Sequence, residues 1–525
     1  MSSSPLIELH KISVRLPEGL FLENTSWTIH SDEHWAVLGP NGSGKSTLVK
    51  CLFGAVPVVR GSITYHEMGT GKTSPSAGSS RIGYVSSELH RSVFERETLK
   101  DSFRDFSGNI DDVTTLRDMI LEGIPKNNSE RQKYANRLDR NAPGLEIDGL
   151  LLRDIKTLST GDISKALIAR ALIKQPRLLI LDEPFEGLDK SSRIVLSGWI
   201  NELMQRSMQV ILVTHRIEEI LPNITHVLFL RYGKVFDYGK RETKLTPAAV
   251  KKVYEIDDST GHQKLLEKAN KISALTDKTQ VLGQKPKSEA MPVLIDMRNV
   301  NVIWGGKKAL NGFNWVMKAG ENWALCGPSG AGKTTVLKLI LGENLQAYAN
   351  EIYLFGSRKG HGESLWDIKK RIGFISSELQ KKHPHYLPVL DIVCSGFHDT
   401  VGLYKRCNID ELNTAKEWME ILDITDLAES NFGRLSHGQK QLVLIARAMV
   451  KLQVLLILDE PCDGLDIANR QKVIHVLDLI GHLSGVNLLY VPNRDDEMLS
   501  CITHILKMDA GRVEKWITRK PISTC

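Results

Sequence analysis

Two stretches of this chain carry the residue types needed to hold a nucleoside triphosphate. Gly39, Pro40, Asn41, Gly42, Ser43, Gly44, Lys45, Ser46 and Thr47 form one. Gly327, Pro328, Ser329, Gly330, Ala331, Gly332, Lys333, Thr334 and Thr335 form the other. Both fit G-x-x-x-x-G-K-[ST]. Glycines let the backbone wrap tightly, so successive N–H groups point inward at phosphate oxygens. A helix that starts there adds partial positive charge. Lys45 and Lys333 would neutralise the outer phosphates, and the Ser46 and Thr334 hydroxyls suit Mg²⁺. A second chemical element is LLILDEP, at 178–184 and again at 455–461. Asp182 and Asp459 end apolar runs, where a carboxylate would hold the water shell of the Mg²⁺. Glu183 and Glu460 follow directly and suit a base that orients and deprotonates an attacking water.

Such residues need a scaffold that brings them to one edge. Strand-like runs at 35–38, 178–181 and 210–214 alternate with helical patterns at 46–53, 160–174 and 191–204. That alternation implies an α/β domain with a largely parallel core sheet. Segments 95–155 and 380–432 read as mainly helical. The Gly, Ser, Pro and Thr content of 66–80 reads as an exposed loop.

The whole arrangement occurs twice. WAVLGPNGSGKST (35–47) recurs as WALCGPSGAGKTT (323–335), RIGYVSSEL (81–89) as RIGFISSEL (371–379), and LSTGD (158–162) as LSHGQ (435–439). The expected organisation is one domain over 1–245, a partly helical linker over 246–292 and a second domain over 293–525. The Thr-Pro pair at 246–247 suits a helix start within that linker.

Composition sets limits. The chain has 525 residues, 42% hydrophobic and 25% charged, which excludes a disordered or fibrous protein. A net charge of +6 over this length gives no clear nucleic-acid footprint. No apolar run is long enough to span a membrane, and no signal peptide is read at the N-terminus. A cytoplasmic protein is expected, peripheral to the membrane at most. Seven cysteines, none spaced CxxC, argue against a disulfide framework and against a zinc site.

In each half the order is phosphate loop, LSxG, LLILDEP and GLD, and in the first half a histidine follows. That order resembles the ATP-binding domains of ABC proteins. The resemblance implies two tandem P-loop ABC-type ATPase domains. Each would have a mainly parallel core sheet, an antiparallel β region and an inserted helical subdomain. It implies ATP and Mg²⁺ as ligands, and ATP hydrolysis as the activity. It also implies that the halves pair, each ATP lying between one phosphate loop and the other half's signature. Site one would then join Lys45, Ser46, Asp182, Glu183 and the switch histidine His215 to Ser436, Gly438 and Gln439. Site two would join Lys333, Thr334, Asp459 and Glu460 to Ser159 and Gly161. Trp304 stands where the family stacks an aromatic on adenine, a place near Arg15 or Leu16 in the first half.

Several residues depart from the family pattern. Asn493 stands at the switch-histidine position of the second half, and Asp162 replaces the signature glutamine, which would put a carboxylate near the nucleotide face. Site two is therefore expected to bind ATP well and hydrolyse it poorly. The glutamine that follows the inner strand and marks permease docking is Ser86 in one half and Ser376 in the other; Glu88 or Glu378 could substitute through a water. The segment LFGSRKGHGESLWDIKKRIGFISSEL is similar to the ModF type, also called the photorepair-protein type, associated with molybdate operons. The resemblance favours a soluble ATPase that energises transport, possible substrates including molybdate-type oxyanions, through a separate membrane permease. The alternatives are an ATPase acting on ribosome or nucleic acid, and an ATP-switched regulator.

Overall fold

A computed structural model describes residues 4–519, except 17–18, 67–80, 91, 94–95, 98, 101–112, 125–127, 207, 256–267, 269–270, 273–291, 305–306, 362–363, 452 and 484. The chain divides into two compact units, Met1–Ile256 and Asp257–Cys525, each with its own sheets and core.

The first unit contains β1 (Pro5–Leu16), β2 (Gly19–His30), β3 (Trp35–Leu38), β4 (Val58–Tyr65), β5 (Ile82–Ser86), β6 (Leu178–Asp182), β7 (Gln209–Thr214), β8 (His226–Arg231) and β9 (Lys234–Lys240). One sheet has the order β5-β6-β7-β3-β8-β9. All its pairings are parallel except β8 with β9. Every residue of β3, β6 and β7 is buried. That explains their near-continuous apolar sequence, because a parallel sheet is covered on both faces. A second, antiparallel sheet has the order β2-β1-β4. Its inner residues Ile7, Ile12, Trp27 and Ile29 share one core with Leu48, Val49 and Leu52 of the helix Lys45–Phe53. The phosphate-loop helix is thus clamped between the two sheets.

The second unit repeats the plan with β10 (Val293–Trp304), β11 (Lys307–Lys318), β12 (Trp323–Cys326), β13 (Glu351–Leu354), β14 (Ser357–Arg358), β15 (Ile372–Ser376), β16 (Leu455–Asp459), β17 (Asn487–Val491), β18 (His504–Asp509) and β19 (Arg512–Thr518). Its sheets run β15-β16-β17-β12-β18-β19 and β11-β10-β13-β14. Trp35 and Trp323 are strand-packing residues. Each ring meets another tryptophan edge-on, Trp27 at 5.1 Å and Trp315 at 5.5 Å. The helix Lys333–Leu341 ends on a buried lysine: Lys359 donates to the Leu339 and Ile340 carbonyls. Burial pulls the Lys359 pKa down to about 8.

The segments read as helical subdomains do carry helices. Leu116–Leu121 and Asn128–Asn141 lie in the first unit, Val389–Cys394 and Ile409–Ile421 in the second. In the second unit they build a core around Trp418, Met419 and Phe432. Helix Pro247–Tyr254 forms where the Thr-Pro pair suggested, with the Thr246 hydroxyl accepting from Ala249 N–H. Further on, Ile272 is fully buried in the helical core of the second unit, and Lys268 and Lys271 pair with Asp423 and Glu420 there. The loop read at 66–80 lies, beyond His66, outside the described residues.

Candidate functional site

The sheet register levels the chemical residues. Ser86 pairs with Asp182, Asp182 with Val213, and Leu38 with Thr214. The carboxyl ends of four parallel strands therefore meet in one row, the place where open α/β sheets bind ligands. The second unit repeats this, with Ser376 paired to Asp459 and Asp459 to Val491.

Each phosphate loop leaves its strand through a glycine with no room for a side chain. A Cβ on Gly39 would overlap the Leu230 carbonyl oxygen, and one on Gly327 the Met508 carbonyl oxygen. Gly44 and Gly332 begin the helices at φ 95° and 99°, in the left-handed region glycine tolerates. The lysines curl back over their loops. Lys45 Nζ donates to the Gly39 and Pro40 carbonyls, both at 2.9 Å. Lys333 Nζ donates to the Gly327 and Pro328 carbonyls at 2.7 and 3.0 Å. The crest is accessible, with Gly42 exposed in the first loop and Gly327, Pro328, Ser329 and Gly330 in the second.

In the first unit Asp182 is 4% exposed. Ser46 Oγ donates to its Oδ1 at 3.2 Å, and the Tyr84 hydroxyl donates to Oδ2 at 3.0 Å. Burial lifts this carboxyl to about 6, against the Ser46 hydrogen bond. Burial lifts Asp459 to about 6 as well, with Lys333 opposing. In the second unit Phe374 replaces Tyr84 and Thr334 is exposed. A buried carboxylate beside a hydroxyl is a hard-oxygen donor set, and it fits Mg²⁺.

The glutamates differ in partners. Glu183 and Glu460 both lie at left-handed φ, 54° and 49°. Their N–H groups donate to Val213 O and Val491 O. Holding a non-glycine residue there costs on the order of 1 kcal/mol, which the neighbouring strand's hydrogen bond offsets. Glu183 Oε1 lies 2.9 Å from His215 Nδ1. Arg216 Nε donates to His215 Nε2 at 3.2 Å, so the imidazole accepts there and carries its proton on Nδ1, toward Glu183. Burial pushes the Glu183 carboxyl up, but His215, Lys45 and Arg216 outweigh it and hold it below its ordinary value. Glu460 is surrounded by carboxylates instead. Burial, then Asp463 and Asp459, raise it to about 7. Asn493, at the histidine position, donates to Asp463 Oδ1 at 3.1 Å.

Each signature serine caps a helix. Ser159 opens Thr160–Leu172 and Ser436 opens His437–Met449, each in a capping box. Asp162 is the acidic member of the first box. Its carboxylate turns back onto Ser159, accepting from the backbone N–H at 3.0 Å and from the hydroxyl at 2.7 Å. Gln439 does the same work for the Ser436 N–H at 2.9 Å. Gly438 is tight because a Cβ would overlap Asn469, whereas one on Gly161 would meet Ser192 Oγ at 3.1 Å. His437 is half-buried, its Nε2 3.1 Å from the Asp463 carbonyl.

Trp304 ends β10 with 58% of its surface exposed. Register places it opposite Lys307, as Leu16 lies opposite Gly19 in the first unit. Ser86 and Ser376 serve as local caps, accepting from Leu89 N–H and Leu379 N–H. The Glu88 carboxylate faces Lys50 at 2.6 Å and that of Glu378 faces Lys382 at 2.9 Å, so both turn to lysines.

Sequence reasoning missed two tyrosines. Tyr84 was readable only as a strand residue. Tyr254 fell in the stretch taken as linker. Its hydroxyl accepts from Gly39 N–H at 3.2 Å and donates to the His215 carbonyl at 3.1 Å, in a site where the residue is 2% exposed. One buried hydroxyl thus joins the first phosphate loop to the backbone of His215.

A phosphate loop opening a helix, a strand-end Asp-Glu pair and a serine-capped LSxG helix, all present in both units, define a duplicated P-loop ATPase. The chain belongs to the ABC transporter family, whose model matches residues 22–186 and 310–463. It is 33% identical over 508 residues to the ABC transporter ATP-binding protein ModF of Escherichia coli (strain K12), covering 96% of this chain and 97% of that protein. It is 28% identical over 499 residues to an uncharacterized ABC transporter ATP-binding protein of Schizosaccharomyces pombe, covering 94% and 95%. The xylose import ATP-binding protein XylG of Thermoanaerobacter pseudethanolicus is 23% identical over 524 residues, covering 97% and 95%. The protein is an ABC-type ATPase with two tandem nucleotide-binding domains.

Proposed function

We propose that this ATPase energises transport through a separate membrane partner, with Mg²⁺·ATP bound at two unequal composite sites. No helix among the described residues is long and apolar enough to cross a membrane. In site one Lys45 and the loop N–H groups bind the phosphates and Ser46 with Asp182 hold Mg²⁺. The ion supplies charge neutralisation of the phosphates. Glu183 takes the proton of the attacking water, and His215 holds that carboxylate in place. The family resemblance implies that Ser436, Gly438 and Gln439 of a partner cassette would complete the site. Site two uses Lys333, Thr334, Asp459 and Glu460; the family resemblance implies that Ser159 and Gly161 of a partner cassette would complete it and that Trp304 would stack on the adenine. The observation that carries the asymmetry is the Glu183–His215 pair at 2.9 Å, for which the second unit has Asn493 turned to Asp463. A molybdate-type oxyanion as cargo rests on the likeness to ModF alone.

A specific observation favours a second reading, an ATP-switched regulator without a permease. Ser86 and Ser376 stand where the family's permease-coupling glutamine belongs, and both are spent on local caps. Purification of the tagged chain from membranes with Mg²⁺·ATP separates the readings. Transport predicts a co-purifying integral membrane protein. Recovery of soluble partners alone, with ATP-dependent binding, sinks transport and favours the regulator.

A further inference from the structure

Away from the nucleotide sites, three side chains of different chemistry converge in the helical part of the second unit. His398 ends the short 3-10 turn Ser395–His398, which continues helix Val389–Cys394. Cys407 immediately precedes Asn408, the cap of helix Ile409–Ile421, and Glu411 lies in that helix's first turn. One ligand atom from each of His398, Cys407 and Glu411 lies within 4.8 Å of the other two, and all three residues are partly buried. His398 Nε2 is itself buried and has no hydrogen-bond partner. A buried imidazole nitrogen without a partner is costly, and a metal ion would satisfy it. Glu411 keeps one carboxylate oxygen on the Asn408 N–H at 2.9 Å, which fixes the side chain and leaves the other oxygen for coordination.

We infer that His398, Cys407 and Glu411 form a binding site for a zinc-class divalent transition metal. Imidazole, thiolate and carboxylate together favour Zn²⁺ over Mg²⁺ or Ca²⁺, which prefer oxygen alone. Three protein ligands leave the fourth tetrahedral position open to water. Closing the set requires the ligand atoms to draw in by less than the length of a bond, because ligands about 2.0–2.3 Å from zinc sit closer together than 4.8 Å. Binding releases the Cys407 thiol proton to solvent, as thiolate replaces thiol at the metal.

The position gives the site a structural consequence. Ser395, three residues before His398, accepts from Arg447 Nε at 3.1 Å, and Arg447 Nη2 donates to the Thr400 carbonyl at 3.0 Å. Gly396 packs so tightly on the Arg447 carbonyl that a Cβ would overlap it. Arg447 belongs to the signature helix His437–Met449. A metal clip between residues 398 and 411 would brace the segment that Arg447 holds, and so brace the signature helix.

The test uses the full-length untagged chain, reduced, nucleotide-free and in excess Mg²⁺. Zinc is measured by mass spectrometry, and cobalt is titrated as a spectroscopic stand-in. The expected results are about one zinc per chain, a sulfur-to-cobalt charge-transfer band and a zinc-dependent rise in melting temperature. Cys407→Ser should lose the band, and His398→Ala should weaken binding at least ~10-fold. Cys501→Ser should keep both. Circular dichroism and ATP binding report whether each variant is folded. Failure of the wild-type chain to give band or stoichiometric zinc overturns the site, and so does a band that survives Cys407→Ser.

Discussion

Tyr254→Phe removes one oxygen atom and leaves the ring in place. In the native chain that hydroxyl accepts from Gly39 N–H and donates to the His215 carbonyl. Phenylalanine orphans a buried donor and a buried acceptor at once. Each orphan costs ~1–3 kcal/mol, and relaxation recovers part of it, so a net loss of about 2–4 kcal/mol is expected. For a unit of this size that is a fall of roughly 4–16 °C in the melting transition of the first unit. Hydrogen exchange localises the effect. Amides of 39–47 and 248–255 should exchange faster, while those of 327–335 in the second unit should not change. A loosened loop must also be reordered by ATP, and ~1 kcal/mol of that cost weakens binding about fivefold at the first site. An unchanged melting temperature together with unchanged exchange at 39–47 would refute the reasoning, because it would mean the hydroxyl joins nothing.

Other substitutions read other parts of the account. Trp304→Ala should weaken ATP binding at the second site by ~1–3 kcal/mol, the worth of one base–aromatic stack, when measured with Lys45→Ala to silence the first. Gly438→Ala forces a methyl group against Asn469. It should cost about 1–3 kcal/mol in stability, read by denaturant unfolding, while Gly161→Ala, facing only the movable Ser192 hydroxyl, should cost less.

The core of each unit was legible because its signals are local. A phosphate loop, its lysine and its helix lie within a dozen residues, and the strand-sized apolar runs at 35–38 and 178–181 alternate with helical patterns. Asp162 was also open to a local reading. A serine followed three residues later by an acidic side chain is a cap signature. Tyr254 was out of reach. Its partner Gly39 is 215 residues away, and nothing in the string PAAVKKVY marks one tyrosine for a buried hydrogen bond. The His398, Cys407 and Glu411 cluster was missed for another reason. A search for CxxC passes over ligands carried by the end of one helix and the start of the next.

The central claim is that the stronger chemistry belongs to the cassette whose glutamate is held by a histidine. Steady-state Mg²⁺·ATP turnover of Glu183→Gln and Glu460→Gln tests it most directly, with ATP binding measured in both. The account predicts that Glu183→Gln lowers turnover at least ~10-fold, while Glu460→Gln keeps most of it. Turnover abolished by Glu460→Gln and spared by Glu183→Gln would contradict it.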